Sequence, residues 1–143
     1  MPGLIENAIP PLMDWRTWII IGGVIAAFLL LKRLMLVRPA AARDWLKKGA
    51  RVIDVRSQGE FQERHLPAAE NIPLDRLREE IARLAPNVEQ PLLLHCLSGT
   101  RSGMGKAQLK KMGYRNVFNL GSYGRAERIL EAQGGNGTKG DRR

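Results

Sequence analysis

The chain has 143 residues, 44% of them hydrophobic and 26% charged, which is typical of a folded domain and excludes a disordered or collagen-like chain. The net charge of +9 could suit nucleic acid or anionic lipid, but aromatic residues make up only 6%, which disfavours a nucleic-acid-binding protein. One cysteine cannot form an intramolecular disulfide, and the cysteine and two histidines lack zinc-ligand spacing. We therefore expect neither a metal nor a cofactor.

The first element is an apolar segment that we expect to span a membrane. No charge occurs in residues 17–31, and a helix over residues 18–36 would be about 28 Å long, close to the roughly 30 Å thickness of the hydrocarbon layer. We assign residues 1–14 to a short amino-terminal segment and residues 15–37 to the transmembrane helix. The alternative is a buried or interfacial helix, because the uncharged run is short for a span.

Basic residues just after the apolar segment predict its orientation. Within residues 32–48 Asp44 carries the only negative charge. The basic residues are Lys32, Arg33, Arg38, Arg43, Lys47 and Lys48. By the positive-inside rule they keep the following domain in the cytoplasm, on a single-pass anchor in a bacterial-type inner membrane. A cleaved signal peptide would carry its basic residues before the apolar core, so we expect the segment to be retained.

One α/β domain is predicted over residues 38–134. The patterns predict helices at 40–48, 58–64, 75–84 (with Asp75 as its cap), 101–112 and 123–132, strands at 51–55, 91–95 and 117–120, and an extended piece at 71–74. This alternation implies a mostly parallel sheet with helices on both faces. Residues 135–143 are predicted to form a disordered basic tail.

Cys96 begins a polar loop between a predicted strand and a predicted helix. A lone cysteine is more often an inert buried residue, so its surroundings must carry any catalytic claim. Here the loop N–H groups and the positive end of the helix would stabilise a thiolate. Gly99 permits a positive φ, Ser98 and Thr100 add hydroxyl groups, and Arg101 adds a permanent cation.

Ordered motifs across residues 40–134 resemble those of rhodanese domains. The matching stretches are residues 52–56, 60–61, 65–69, 71–74, 96–101 and 117–121. The resemblance implies a rhodanese-like fold in which Cys96 is the nucleophile and the loop cradles the transferred sulfur through Leu97, Ser98, Gly99, Thr100 and Arg101. The chain departs from the family pattern at Arg64 and Ala68, where Gly is common, and at Ala126, where the last helix often carries Trp.

The length of the cysteine loop separates two branches of the wider superfamily. Six residues run from Cys96 to Arg101, as in sulfur-handling rhodaneses, and position 102 is Ser. The related cysteine phosphatases and arsenate reductases use a loop one residue longer to surround a larger oxyanion. Phosphatase or arsenate reductase activity is therefore the weaker enzymatic hypothesis.

Polar residues outside the loop are expected to have structural roles. Asp54 and Arg56 should brace the loops at the end of the first strand, although contact with substrate is an alternative. Glu60 should cap or brace a helix. His65 and His95 could each form a dyad with Cys96, but sequence spacing alone cannot place either imidazole against the thiol, and we favour structural roles.

These observations predict a thiosulfate-type sulfurtransferase that moves a sulfane sulfur through a Cys96 persulfide to a thiol or to cyanide. The donor would be a small anion such as thiosulfate. Because the chain has one cysteine, discharge of the persulfide must use an external nucleophile. The alternative is a non-catalytic or sulfur-carrier module that serves a membrane partner, whose identity the sequence leaves unknown.

Overall fold

The computed structural model describes residues 14–134. Residues 1–13 of the predicted amino-terminal segment and the predicted tail at 135–143 therefore lie outside the described residues. The chain divides into two units, one ending at Leu34 and the other beginning at Met35, and each is described by itself.

The amino-terminal unit contains one long helix, α1, at Trp15–Met35. By length and composition it is the one candidate membrane span among the described residues, with a mean hydropathy of 2.2 over 18 residues. None of its residues is buried, and Lys32 and Arg33 lie in its last turn. A long apolar helix is therefore confirmed, whereas its insertion into a membrane stays a prediction.

The second unit alternates helices with strands. Its elements are α2 (Pro39–Lys47), β1 (Arg51–Asp54), α3 (Gln58–Glu63), β2 (Ala69–Asn71), α4 (Leu77–Leu84), β3 (Leu92–Cys96), α5 (Thr100–Lys111), β4 (Val117–Ser122) and α6 (Tyr123–Gly134). The four strands are ordered β2-β1-β3-β4, and all three pairings are parallel. The predicted α/β class with a parallel sheet is confirmed.

Both faces of the sheet are covered by apolar side chains. Leu92, Leu94 and Cys96 of β3 belong to the cluster that includes residues of α4 and α5, whereas Leu93 belongs to the cluster that includes residues of α2 and α6. This alternation follows from the two-residue repeat of a strand. All five residues of β3 are buried, as expected for a central strand of a parallel sheet.

The structure corrects two sequence-based boundaries. The second strand lies at Ala69–Asn71, before the predicted extended piece, and it pairs with β1 from Val52 to Asp54. Beyond it, the Ile72 and Leu74 N–H groups still donate to the Asp54 and Val55 carbonyls at 3.1 and 3.2 Å, so residues 72–74 stay alongside the end of β1. The prediction of Asp75 as a helix cap is wrong, because α4 begins at Leu77 with Arg76 as its N-cap.

Candidate active site

Cys96 is the last residue of β3 and is fully buried. It lies at the carboxyl end of a central parallel strand, the edge where α/β folds place their ligand sites. The chain turns sharply after it, and α5 begins four residues later at Thr100. The thiol therefore lies beneath the loop that leads into the amino terminus of that helix.

The Cys96 sulfur is held by hydrogen-bond donors from the loop and from α5. The Gly99 N–H donates to Sγ at 3.0 Å, and the Ser102 hydroxyl lies 3.5 Å from it. Burial by itself raises the pKa of the thiol, but hydrogen bonds from Ser102, Gly99 and Ser98 outweigh it, so the net pKa is lowered. A thiolate is the form that attacks, so the site favours the nucleophile.

Gly99 allows the loop to close over the sulfur. Its φ is +93°, in the left-handed region, which confirms the positive φ expected at this position. A Cβ atom at Gly99 would lie 3.1 Å from the Cα of Gly121 on β4. The turn therefore requires glycine both for its backbone conformation and for its close approach to β4.

Asn119 connects β4 to the cysteine loop. Its Nδ2 donates to the Gly99 carbonyl at 3.1 Å, while its Oδ1 accepts from the Ser102 hydroxyl at 2.7 Å and from the Gly121 N–H at 2.8 Å. This buried side chain was not predicted as part of the site. A single amide inside the otherwise apolar stretch 117–120 was the available signal, because buried polar groups need partners.

The Arg101 guanidinium forms an ion pair with a carboxylate. Its Nη1 and Nη2 donate to Oε2 and Oε1 of Glu60 at 2.7 and 2.8 Å. The bond from Arg101, opposed by burial and supported by Ser57, lowers the pKa of Glu60 to about 2. Glu60 also closes the capping box of α3 with Ser57, as expected for a capping residue. Its pairing with Arg101 was missed, because the two residues are far apart in sequence.

The other predicted cradle residues face outward. Leu97 is 61% exposed, and Ser98 and Thr100 are exposed with their hydroxyl oxygens 3.4 Å apart. Gly99 therefore donates directly to the sulfur, Ser102 lies against it and Ser98 acts through its backbone, whereas the Leu97 side chain is exposed beside the loop. An open cleft of about 550 Å³ beside Arg101 is also lined by Ser57.

Asp54 and Arg56 form a buried ion pair at the end of β1. Arg56 Nη2 lies 2.6 Å from Asp54 Oδ2 and donates to the Arg64 carbonyl at 2.7 Å. The Arg56 guanidinium also lies 4.8 Å from the centre of the Tyr123 ring. These contacts agree with the expected bracing of the loops, and the hydrogen bonds of the two side chains go to residues other than Cys96.

Neither of the two histidines is hydrogen-bonded to the Cys96 thiol in the described part of the chain. His95 is fully buried and belongs to the strand position before Cys96, so its side chain points to the opposite face of the sheet. Burial lowers its pKa, and neither ring nitrogen has a hydrogen-bond partner among the described residues. His65 is exposed, with Nδ1 2.9 Å from the Phe61 carbonyl.

Two departures from the rhodanese pattern have visible consequences. Arg64 pairs with Glu127 of α6 at 2.6 Å, and its guanidinium lies 4.7 Å from the centre of the Tyr123 ring. It therefore links the loop before β2 to the last helix. Ala126 is fully buried on that helix, so the small side chain is accommodated without exposing it.

Comparison with protein families matches residues 38–124 to the Rhodanese-like domain. Thiosulfate sulfurtransferase PspE of Escherichia coli is 39% identical over 81 residues, which cover 57% of this chain and 71% of that protein. Thiosulfate sulfurtransferase 18 of Arabidopsis thaliana is 32% identical, with coverage of 56% and 68%. Uncharacterized protein YqhL of Bacillus subtilis is 35% identical, and the match spans 55% of its length.

Solved structures give the same assignment. A structure described as rhodanese with anions from E. coli matches with a TM-score of 0.52 and 36% identity, covering 53% of this chain and 89% of that one. Human single-domain sulfurtransferase TSTD1 matches with a TM-score of 0.52 and 27% identity, covering 66% and 96%. Together with the strand order and the cysteine loop, these matches establish that the chain belongs to the rhodanese-like family of sulfurtransferases.

Proposed function

We propose that this protein is a membrane-anchored, thiosulfate-type sulfurtransferase that carries sulfane sulfur as a persulfide on Cys96. The observation that carries the proposal is the buried Cys96 sulfur, which accepts the Gly99 N–H at 3.0 Å and has a lowered pKa. Two curated relatives named thiosulfate sulfurtransferases support this donor class.

The proposed reaction has two displacement steps. The Cys96 thiolate attacks the outer sulfur of thiosulfate, a new S–S bond forms at Sγ, and sulfite leaves with the electron pair of the bond that breaks. An external thiolate or cyanide then attacks the outer sulfur of the persulfide, and Cys96 leaves as a thiolate. The negative charge on the outer sulfur would be stabilised by loop N–H groups and by the amino terminus of α5.

Arg101 is proposed to act at the rim of the site. Its charge is compensated by Glu60 in a bidentate pair, and both side chains are about one-third exposed, at 35% and 32%. The pair therefore holds a guanidinium beside the loop without presenting a full uncompensated charge to the donor. Most of the anion affinity would come from the backbone donors of the loop.

Thiocyanate formation from thiosulfate and cyanide tests the proposal. We expect turnover with ping-pong kinetics, a removable addition of one sulfur atom by mass spectrometry, and loss of both in Cys96→Ser. Because Cys96 is the only cysteine, the added sulfur can be assigned to one position. A wild-type chain that acquires no sulfur from thiosulfate, or a Cys96→Ser variant with undiminished turnover, would contradict the proposal.

Anchoring in the inner membrane, with the rhodanese domain in the cytoplasm, belongs to the same proposal. The length and hydropathy of α1 and the basic residues Lys32 and Arg33 in its last turn support it. The domain should be spared when protease is added to intact spheroplasts and digested when the membrane is opened. Digestion in intact spheroplasts would contradict this orientation.

A second candidate function is sulfur delivery to a protein. Leu97 and Met104 are 61% and 54% exposed, and Met104 lies one helical turn after Thr100 at the start of α5. Exposed apolar side chains in the loop and the first helical turns after a buried thiol favour contact with a protein acceptor more than with a small ion. Persulfide that forms on Cys96 but reacts slowly with cyanide, and rapidly with a protein thiol, would favour this carrier function.

A further inference from the structure

The segment that follows α1 is hydrogen-bonded to the strand that supports the cysteine loop. The Val37 N–H donates to the Asn119 carbonyl at 2.9 Å. The Arg125 guanidinium joins the same segment to the same strand, with Nη2 donating to the Val37 carbonyl and Nη1 to the Leu120 carbonyl, each at 2.5 Å. β4 is one of the two edge strands of the sheet, so these contacts occupy a side that no strand of residues 14–134 covers.

Side-chain packing continues the same connection toward the thiol. The Leu36 side chain packs over Gly121, whose φ is +92°. A Cβ atom added to Gly121 would lie only 3.1 Å from Leu36 Cδ2. Gly121 in turn approaches Gly99 closely, since a Cβ atom added to Gly99 would lie 3.1 Å from the Gly121 Cα. Gly121 therefore lies between the Leu36 side chain and Gly99, and Gly99 donates its N–H to the Cys96 sulfur.

The end of β4 and the cysteine loop are also joined directly. The Tyr123 N–H donates to the Leu97 carbonyl at 3.4 Å, and Ser98 forms an isolated antiparallel bridge with Ser122. The Asn119 amide adds its bonds to Gly99 and Ser102. A shift of β4 would therefore move the donors that surround the sulfur.

We infer that Leu36, Val37 and Arg125 form a clasp that positions β4 and, through Asn119 and Gly121, the donors around Cys96. Leu36 and Val37 precede the family match, which begins at residue 38, so the clasp adds residues of this chain to the common domain. Arg125 is a positioning residue, because its hydrogen bonds reach backbone carbonyls and not the sulfur.

The inference rests on the proposed role of Cys96, but it can be tested on the thiol alone. The rate of iodoacetamide alkylation against pH gives the thiol pKa without any sulfur transfer, and the chain has one cysteine to react. In the full chain in detergent, we expect Arg125→Gln to raise this pKa by about one unit, because the loop donors become less well placed. Arg125→Lys, which keeps a cation that can reach one carbonyl, should recover part of the shift.

Arg128→Gln is the matched control, since Arg128 is an exposed residue of the same helix and the variant loses the same charge. If Arg125→Gln and Arg128→Gln give the same thiol pKa as the wild type, the clasp does not position the site. Should Arg125→Gln fail to fold, Leu36→Ala decides the question, because it removes the packing on Gly121 and leaves the Arg125 hydrogen bonds in place. A raised pKa in Leu36→Ala supports the clasp, and an unchanged pKa overturns it.

Absence of sulfur transfer in the wild type, together with an alkylation profile that is shifted in Arg125→Gln, would contradict the proposed function and leave the clasp supported. Normal turnover in the wild type, with identical alkylation profiles in all variants, would support the proposed function and contradict the clasp. For variants that keep turnover, we expect kcat/KM with thiosulfate to fall about tenfold in Arg125→Gln, as expected when catalytic donors are displaced by a fraction of an ångström. A kcat/KM equal to that of Arg128→Gln would argue against the clasp.

Discussion

His95 and Cys96 are neighbours in β3 and both are fully buried, yet their side chains have different surroundings. Cys96 faces the loop and α5, where hydrogen bonds lower its pKa in spite of burial. His95 faces the opposite side of the sheet, where burial lowers its pKa, Asp54 Oδ2 lies 3.8 Å from Nε2, and neither ring nitrogen has a hydrogen-bond partner among the described residues. Burial disfavours the charged form of both groups, and the neighbouring groups decide whether that form is recovered: hydrogen-bond donors stabilise a thiolate, whereas an imidazolium needs acceptors or a carboxylate.

The largest expected effect comes from removing the turn that brings a donor to Cys96. Gly99→Ala forces a side chain into the left-handed region and toward the Cα of Gly121, at 3.1 Å. We expect a loss of about 1–3 kcal/mol in the free energy of unfolding and a roughly hundredfold loss in kcat/KM. Chemical denaturation and the thiocyanate assay measure the two quantities.

Gly113→Ala is the control for backbone strain alone. Gly113 has a φ of +95°, close to that of Gly99, and a Cβ atom there would meet nothing within 4 Å. We expect a comparable loss of stability with kcat/KM retained. If Gly113→Ala lowers kcat/KM as much as Gly99→Ala, the loss reflects general destabilisation and not the placement of the Gly99 N–H.

The second effect concerns the charge at the rim of the cysteine site. Glu60→Gln should leave Arg101 with an uncompensated charge and lower the KM for thiosulfate by about threefold at low salt, with less effect at high salt. Glu127→Gln is the matched control, because it releases Arg64 from a 2.6 Å ion pair away from the cysteine loop. Equal changes in KM for the two variants would indicate a general effect of net charge.

The same pair predicts a pH dependence of stability. The pKa of Glu60 is about 2 in the folded protein, below its ordinary value of 4.5. Its contribution is therefore complete above pH 4.5 and is lost as the pH falls toward 2. Glu60→Gln should weaken this part of the acid transition, and an unchanged dependence on pH between those limits would contradict the assignment.

A last prediction, on stability alone, tests the other face of β3. Because the pKa of His95 is lowered, the unfolded chain binds its proton first as the pH falls below about 6.5, which destabilises the fold. The free energy of unfolding should fall by up to about 1.4 kcal/mol per pH unit below that point, and His95→Phe should remove this slope. His65→Phe, at an exposed position, should retain it. A slope that survives in His95→Phe would assign the effect to another group.

The sequence was sufficient for the features that depend on local order. Alternation of helices and strands predicted the parallel α/β class, and the residues after Cys96 predicted both the loop and the positive φ of Gly99. Boundaries were less accurate where partners are distant, as for β2, whose position depends on its register with β1. The apolar composition of residues 17–31 was likewise enough to predict the long helix α1.

Only the tertiary structure decided which groups surround each side chain of the site. Glu60 and Arg101 are 41 positions apart in sequence, and Asn119 is 20 positions from Gly99, so no local pattern could pair them. The connection from Leu36 through Gly121 to Gly99 depends on three separate segments meeting at one strand. Local sequence selects backbone conformation, whereas the partners of a buried thiol are set by the packing of distant segments, and those partners determine its pKa.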